Sequence, residues 1–261
     1  MNNTTSNPES VKKMVFDEKI SMLPWTGLEH LQQCIIDTVN RNVPGDFVET
    51  GAWRGGSCIV AKSVYNDLHV NKKVFVVDSF EGLPPPDAEK YPDDANDTHY
   101  LDPAMTASLE TVRGNFSKFN LLDDSVVFIK GWFKDTLPTA PIDTISILRL
   151  DGDMYESTIN VLENLYHKLS IGGYCIIDDF YHPACRRAVY DFRREHAIDE
   201  KIKKVDDDPS NEIHFWIKKK EIIPSRKNYT ENSVPRIVSM VRERIDFIQS
   251  KVVCKVKQLF K

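Results

Sequence analysis

The amino-acid sequence predicts an α/β fold: a mostly parallel, seven-stranded sheet with helices on both faces. Short runs rich in Val, Ile and Phe alternate with stretches of helical periodicity, a pattern typical of strands buried between two layers of helices. Runs of strand length end repeatedly in acids, at Glu49, Asp78, Asp151 and Asp178-Asp179. Because ligands bind at the carboxyl ends of the strands in open α/β sheets, we expect these acids to surround one crevice.

Apolar periodicity and turn residues place the elements in chain order. The first long helix has Leu28, Leu31 and Ile35 on one face and is stopped by Pro44-Gly45. Helices are predicted at 26–43, 57–67, 105–118, 155–169 and 183–196. Strands are predicted at 47–49, 73–78, 125–129, 142–151, 174–178, 201–206 and 212–218, the last two as a possible antiparallel hairpin at the sheet edge.

Three regions are expected along the chain. Residues 1–20 are predicted to be flexible, residues 21–218 to form the α/β domain, and residues 219–261 to form an extension. Within the domain, residues 82–104 are polar and carry several prolines, and a loop of this length is typically a lid or a disordered segment. The cysteines form no Cys-x-x-Cys pair and the first residues lack the features of a signal peptide, which predicts a cytoplasmic, reducing setting.

Charge is distributed unevenly along the chain. The net charge is -5, yet residues 217–261 carry twelve Lys and Arg against four Asp and Glu. An acidic body is a poor binder of nucleic acid, so no nucleic-acid partner is expected. Apolar residues in the tail fall at three- and four-residue steps, which predicts a basic amphipathic helix. We expect this helix to pack on its own domain or on a second copy in a homo-oligomer, with a membrane surface or an acidic partner as alternatives.

The first chemical motif is the glycine-rich turn Glu49-Thr50-Gly51-Ala52-Trp53-Arg54-Gly55-Gly56-Ser57. Glycines at the start of a helix let a ligand approach the backbone and its free N–H groups. The spacing is neither that of dinucleotide-binding proteins nor that of a P-loop, and a purely structural turn remains an alternative. Asp78, at the end of the next strand, is placed to accept hydrogen bonds from a ribose diol. Together, the two features favour a nucleoside-containing cofactor.

The second motif gathers carboxylates at two further strand ends, in Asp151-Gly152-Asp153 and Asp178-Asp179. Hard divalent cations such as Mg²⁺ prefer carboxylate oxygens. Two adjacent acids after a buried strand need a cation or strong donors to compensate their charge. For Asp153, the alternative is a cap on the following helix. His99 and His182 are the histidines placed where they could contact a substrate.

These segments resemble the macrocin and mycinamicin sugar O-methyltransferases. The resemblance covers about residues 20–218 and depends on the order and spacing of several motifs. They are Gly45-Asp46-Phe47-Val48-Glu49-Thr50-Gly51, Trp53-Arg54-Gly55-Gly56, Asp78-Ser79-Phe80-Glu81-Gly82-Leu83-Pro84, Lys130-Gly131-Trp132-Phe133, Leu150-Asp151-Gly152-Asp153-Met154-Tyr155-Glu156-Ser157-Thr158 and Asp178-Asp179.

The resemblance implies a class I, Rossmann-like methyltransferase that uses S-adenosylmethionine and a divalent cation, normally Mg²⁺. It implies Asp151, Asp178 and Asp179 as metal ligands and Asp153 as the general base. The implied cofactor contacts are Glu49, Gly51, Gly55, Asp78, Ser79, Gly131, Trp132 and Phe133. Ser21-Met22 stands where the family usually has a Thr-Met pair close to the cofactor, and serine keeps the hydroxyl.

The function expected from these features is O-methylation of a sugar hydroxyl in a glycoside, a glycan or a nucleotide sugar. Two neighbouring hydroxyls held by Mg²⁺ would become more acidic, and a nearby carboxylate could then remove a proton. The loop 82–104 could close over the acceptor and exclude water. One alternative is methylation of a small catechol-like or polyketide hydroxyl. Another is a non-catalytic scaffold that acts through the basic tail, which the retained acids argue against.

Overall fold

A computed structural model describes residues 7–207 and 212–222, and the structural statements below refer to those residues. Seven strands form one sheet in the order β3-β2-β1-β4-β5-β7-β6. Strands β1 to β5 run parallel, whereas β7 is antiparallel to both β5 and β6. The bounds are β1 Asp46–Thr50, β2 Val74–Asp78, β3 Val126–Lys130, β4 Ile145–Leu150, β5 Leu169–Ile177, β6 Lys203–Lys204 and β7 His214–Ile217. The predicted fold and the edge hairpin are confirmed.

Helices cover both faces of this sheet. They are α1 Pro8–Asp17, α2 Trp25–Asn40, α3 Gly56–Asp67, α4 Leu109–Lys118, the short α5 Phe133–Thr136, α6 Tyr155–Leu165 and α7 Pro183–Glu195. Successive strand residues point to opposite faces, so Phe47 joins one core with α1, α2 and α3 while Val48 joins the other with α6 and α7. Both side chains are fully buried. This two-sided burial explains why the strands read as continuous apolar runs.

Residues 8–17 correct the prediction that the first twenty residues are flexible. They form α1, which has Pro8 in its first turn and is capped by the Asn7 side chain, which accepts the N–H of Glu9. Val11 and Val15, one helical turn apart, are buried against the core that contains α3. The pattern was missed because this apolar stripe is short and lies among polar residues. Residues 1–6 lie outside the described part of the chain.

The long insertion 82–104 is ordered and carries short 3-10 turns at Pro92–Asp94, His99–Leu101 and Pro103–Met105. Asp94, 1% exposed, accepts the backbone N–H groups of Tyr155 at 2.6 Å and Glu156 at 2.9 Å. The insertion therefore caps the first turn of α6. At its other end, the Trp53 indole donates to the carbonyl of Ala104 at 2.8 Å.

Two boundaries differ from the prediction around β5. The helix expected at 155–169 ends at Leu165 and is followed by a 3-10 turn, and β5 begins at Leu169, five residues before the predicted strand. Gly172, with φ +86°, lies inside the strand where its register against β4 shifts. A glycine pair predicts a turn, but in this strand it accommodates an irregularity between neighbouring strands.

The described residues include no helix that is both long and apolar enough to span a bilayer. The predicted basic amphipathic helix lies outside them except for residues 219–222. Its packing on the domain, on a second copy or on a membrane surface therefore stays a prediction.

Candidate active site

A pocket lies at the carboxyl ends of β1, β2, β3 and β4, with side chains and backbone from each of these strand ends in its walls. Nine of the residues predicted for the site line it: Met22, Gly51, Asp78, Ser79, Gly131, Trp132, Phe133, Asp151 and Asp153. The structure therefore brings most of the predicted cofactor residues together with Asp151 and Asp153 at one edge of the sheet, where ligands bind in such folds.

The turn after β1 needs glycine for a steric reason. Gly51 has φ +87°, and a Cβ atom on it would meet the carbonyl oxygen of Asp151 at 1.5 Å. Only glycine fits at so close an approach of two strand ends. The turn is held from β2 by Asp78, whose carboxylate accepts the N–H groups of Ala52 at 2.7 Å and Trp53 at 3.1 Å. Burial raises the pKa of Asp78, and these backbone hydrogen bonds oppose that rise.

Glu49 lies beneath the turn and does not line the pocket. Its carboxylate is fully buried, accepts the Ser57 hydroxyl at 2.6 Å and lies 2.5 Å from the Arg149 guanidinium. Burial raises the pKa of Glu49, and Arg149 opposes that rise. In this structure Glu49 supports the glycine turn, and its contact with a cofactor stays a prediction.

Ser21 and Gly55 also lie behind the pocket wall. The Ser21 hydroxyl accepts the N–H of Leu23 at 3.2 Å, and its Cβ faces the start of α3 at Gly56. Gly55, with φ +83°, packs against Val112 and Phe116. Met22 is the exposed member of this group: it lines the pocket and is 57% exposed. A flexible thioether there can adapt to a ligand.

The three predicted metal ligands lie close together. One carboxylate oxygen from each of Asp151, Asp178 and Asp179 lies within 4.8 Å of the other two. Burial raises the pKa values of Asp178 and Asp179 well above the usual range, and repulsion among the carboxylates adds to that rise. This concentration of negative charge and oxygen donors fits a hard divalent cation.

Arg149 partly neutralises this cluster. Its guanidinium lies 2.8 Å from Asp151, 2.5 Å from Asp178 and 2.5 Å from Glu49. The side chain is 2% exposed, so one buried cation is paired with three carboxylates from three different strands. Sequence reasoning missed this role. The available signal was a single arginine inside an otherwise apolar strand that ends in an acid.

Asp153 has a backbone φ of +57°, in the left-handed region, and its side chain is buried. Its N–H donates to Asp179 at 2.9 Å, as does that of Gly152 at 3.0 Å. Burial, followed by the charges of Asp151 and Asp178, raises the pKa of Asp153 to about 7. Asp94 caps α6 instead, so the helix-cap alternative for Asp153 is wrong. Its role as a base stays a prediction.

The remaining walls were not predicted as site residues. The ends of the insertion contribute Gly82, Leu83, Pro84 and Met105, and α5 and α6 contribute Lys134, Glu156, Ser157 and Asn160. Glu156 is buried, and its Oε1 lies 3.4 Å from the Lys134 ammonium. These residues are close in space because the insertion folds over α6, a contact that local sequence patterns do not reveal.

The sheet order, the glycine turn after β1 and the acids at the strand ends define a Rossmann-like methyltransferase of class I. The fold is similar to that of the O-methyltransferase NovP, with a TM-score of 0.73 and 43% identity over 77% of this chain and 82% of that one. It is also similar to that of the calicheamicin methyltransferase CalS11, with a TM-score of 0.59 at 17% identity, covering 83% and 93% of the two chains.

Residues 17–216 match the macrocin-O-methyltransferase (TylF) family, and the chain belongs to that family. It is 46% identical to demethyldecarbamoylnovobiocin O-methyltransferase of Streptomyces niveus over 69% of this chain and 70% of the relative. It is 44% identical to mycinamicin III 3''-O-methyltransferase of Micromonospora griseorubida over 71% and 75%. The predicted resemblance is confirmed, and the protein is an S-adenosylmethionine-dependent O-methyltransferase.

Proposed function

We propose that this enzyme methylates a sugar hydroxyl of a glycoside, a glycan or a nucleotide sugar, with the help of a divalent cation. The observation that carries the proposal is the convergence of Asp151, Asp178 and Asp179 beside Asp153, next to the glycine turn. The names of the relatives support a sugar acceptor, since one is a 3''-O-methyltransferase of mycinamicin III and another acts on a rhamnosyl-tetracenomycin.

The cofactor is proposed to lie along the turn between β1 and α3. Asp78 has a carboxylate at the pocket surface that can accept hydrogen bonds from ribose hydroxyls. Trp132 and Phe133 supply aromatic walls, and Met22 adds a flexible apolar one. Methyl transfer is an in-line displacement, so holding the donor rigidly on this turn contributes directly to the rate.

Asp151, Asp178 and Asp179 are proposed to hold Mg²⁺, which would acidify and orient two neighbouring hydroxyls of the acceptor when bound. The chain's own contribution is the proton transfer. Asp153 lines the same pocket and is proposed to accept the hydroxyl proton as the methyl group is transferred. In the metal-free site, burial and the charges of Asp151 and Asp178 raise the pKa of Asp153 to about 7, so this carboxylate binds a proton more readily than an exposed aspartate.

The buried cysteines support the prediction that the protein works in a reducing compartment. Within the described ranges, Cys34, Cys58, Cys175 and Cys185 are free and buried. Burial raises the pKa of each thiol, which keeps these cysteines protonated and unreactive. We propose a cytoplasmic location on this basis.

A methyl-transfer assay tests the proposal. Purified enzyme is incubated with isotopically labelled S-adenosylmethionine and a panel of deoxysugar glycosides, nucleotide sugars and catechols, with Mg²⁺ or with EDTA. Labelled sugar O-methyl products that form with Mg²⁺ and disappear in EDTA are expected. Transfer to catechols alone would show that the acceptor is a catechol and not a sugar. Full activity in EDTA would contradict the role of the cation.

A further inference from the structure

A second group of ligand-type side chains lies outside the pocket lining and is separate from the three clustered aspartates. Asp97 and His99 come from the insertion 82–104, and His182 comes from the loop after β5. One donor atom from each lies within 4.8 Å of the other two. The two imidazole rings are edge-on to each other, with centroids 5.4 Å apart. We propose that these three residues form a binding site for a transition-metal ion of the zinc type.

The donor set differs from that of the aspartate cluster. Two imidazoles and one carboxylate suit Zn²⁺ and similar transition metals, whereas Mg²⁺ prefers oxygen donors alone. The chain therefore carries two separate sets of donor atoms, which favour different cations. Metal binding by these three residues does not depend on methyl transfer.

Two of the three side chains carry polar atoms withdrawn from water. The Asp97 side chain is 3% exposed and approaches His99 Nδ1 at 3.1 Å. The Nδ1 atom of His182 is buried and has no hydrogen-bond partner among the described residues. A buried nitrogen without a partner costs free energy, and coordination to an ion would satisfy it.

The backbone holds the donors in place before an ion binds. The Asp97 N–H donates to the carbonyl of Asp94, which itself caps α6, and the His182 N–H donates to the carbonyl of Asp179. Asp97 also accepts the N–H of His99 at 2.8 Å. Donor atoms around a tetrahedral Zn²⁺ lie about 3.4 Å apart, given bonds of about 2.0–2.1 Å. Side-chain rotations of His99 and His182 can supply this contraction without a change of fold.

An ion at this site would link the middle of the insertion to the loop that begins at Asp178-Asp179. The proposed effect is that zinc-type ions fasten the insertion over the pocket. Hydrogen bonds within the protein already hold the insertion at Asp94 and at Ala104. The ion would add a third attachment between these two.

Calorimetric titration of the metal-free protein with Zn²⁺ tests the site, with millimolar Mg²⁺ present to compete with Zn²⁺ for the aspartate cluster. One equivalent of Zn²⁺ is expected to bind. His99→Gln and His182→Gln each remove a ligand, so each should weaken binding by at least about 100-fold, the upper end of the loss seen when only a supporting partner of a ligand is removed. His69→Gln, which removes an exposed histidine after α3, is the matched control and should not change the affinity.

Two further readouts identify the ligands and the consequence. Co²⁺ in place of Zn²⁺ should give visible absorption bands of a low-coordinate imidazole site, lost in His182→Gln and kept in His69→Gln. Proteolysis within residues 82–106 should slow when Zn²⁺ is added to the wild type but not to His99→Gln. No Zn²⁺ binding in the presence of Mg²⁺, equal affinity in all variants, or equal protection in EDTA and in Zn²⁺ would each overturn the proposal.

Discussion

Replacing Asp153 by Asn separates a role in proton transfer from a role in the fold. Asparagine matches the size of aspartate and tolerates the left-handed backbone at φ +57°, but it cannot accept a proton at neutral pH. Removing a general base typically lowers the rate by about 10²–10⁴-fold. We expect a loss of turnover in this range with nearly unchanged affinity for S-adenosylmethionine.

The same substitution should stabilise the metal-free protein. The pKa of Asp153 is raised from 3.8 to about 7, so the folded state binds this proton more tightly than the unfolded state. The contribution of the Asp153 carboxyl to the free energy of unfolding is therefore fully present below about pH 4, and it is lost as the pH rises through about 7. The difference of about three pKa units corresponds to at most about 4 kcal/mol at pH 8. Asp153 titrates together with the neighbouring carboxylates, which can take up a proton in its place, so the observed gain will be smaller.

The assay is calorimetric melting in EDTA at several pH values, combined with initial rates in Mg²⁺. Each kcal/mol raises the melting temperature by about 2–4 °C for a protein of this size. Asp153→Asn should melt higher than the wild type at pH 8, and the gap should shrink as the pH falls below 7. Asp67→Asn, which removes an exposed acid at the end of α3, serves as control. An Asp153→Asn enzyme that is less stable at pH 8 yet fully active would refute the reasoning.

Three further substitutions test the other parts of the site. Asp78→Ala should weaken binding of S-adenosylmethionine, measured by calorimetry, by about 1–3 kcal/mol. The substitution removes the hydrogen-bond acceptor for the ribose hydroxyls and leaves the N–H groups of Ala52 and Trp53 unpaired. Unchanged affinity would contradict this. Asp178→Asn should raise the Mg²⁺ concentration needed for half-maximal turnover while cofactor affinity is kept, and an unchanged Mg²⁺ dependence would place the cation elsewhere. Asp94→Ala should lower the free energy of unfolding in urea by about 0.5–2 kcal/mol through loss of the α6 cap, with Asp94→Asn closer to wild type; equal stability of all three proteins would show that the cap contributes nothing.

The sheet and the pocket residues could be predicted because their signals are local. Buried parallel strands appear as β-branched runs, and their carboxyl ends meet in space whatever the loops between them do. Asp78 and Asp151 follow this rule: each lies at a strand end, and both line the pocket. The prediction that β5 starts at 174 was wrong because a glycine pair within a strand looks the same in sequence as a turn before one.

The residues that were missed act over long sequence separations. Arg149 pairs with Glu49, one hundred residues away, and Asp94 caps a helix that begins sixty-one residues later. Neither partner can be identified from a window of neighbouring residues. The cap at Asp94 also removes the helix-cap role for Asp153, because the first N–H groups of α6 donate to Asp94 instead. The role of Asp153 as a base stays a prediction.

Arg149 has a consequence for how the enzyme is assembled. In many small metal-binding domains the ligands repel one another until the ion arrives, so the apo chain is unfolded and metal loading and folding are a single event. Here a guanidinium supplied by the chain itself sits among acids from β1, β4 and β5. We therefore expect the newly made polypeptide, which carries its own counter-ion, to reach the native state without Mg²⁺. If the proposed ion binds there, synthesis and activation would be two separate steps, and the second could follow the supply of the ion without rebuilding the protein.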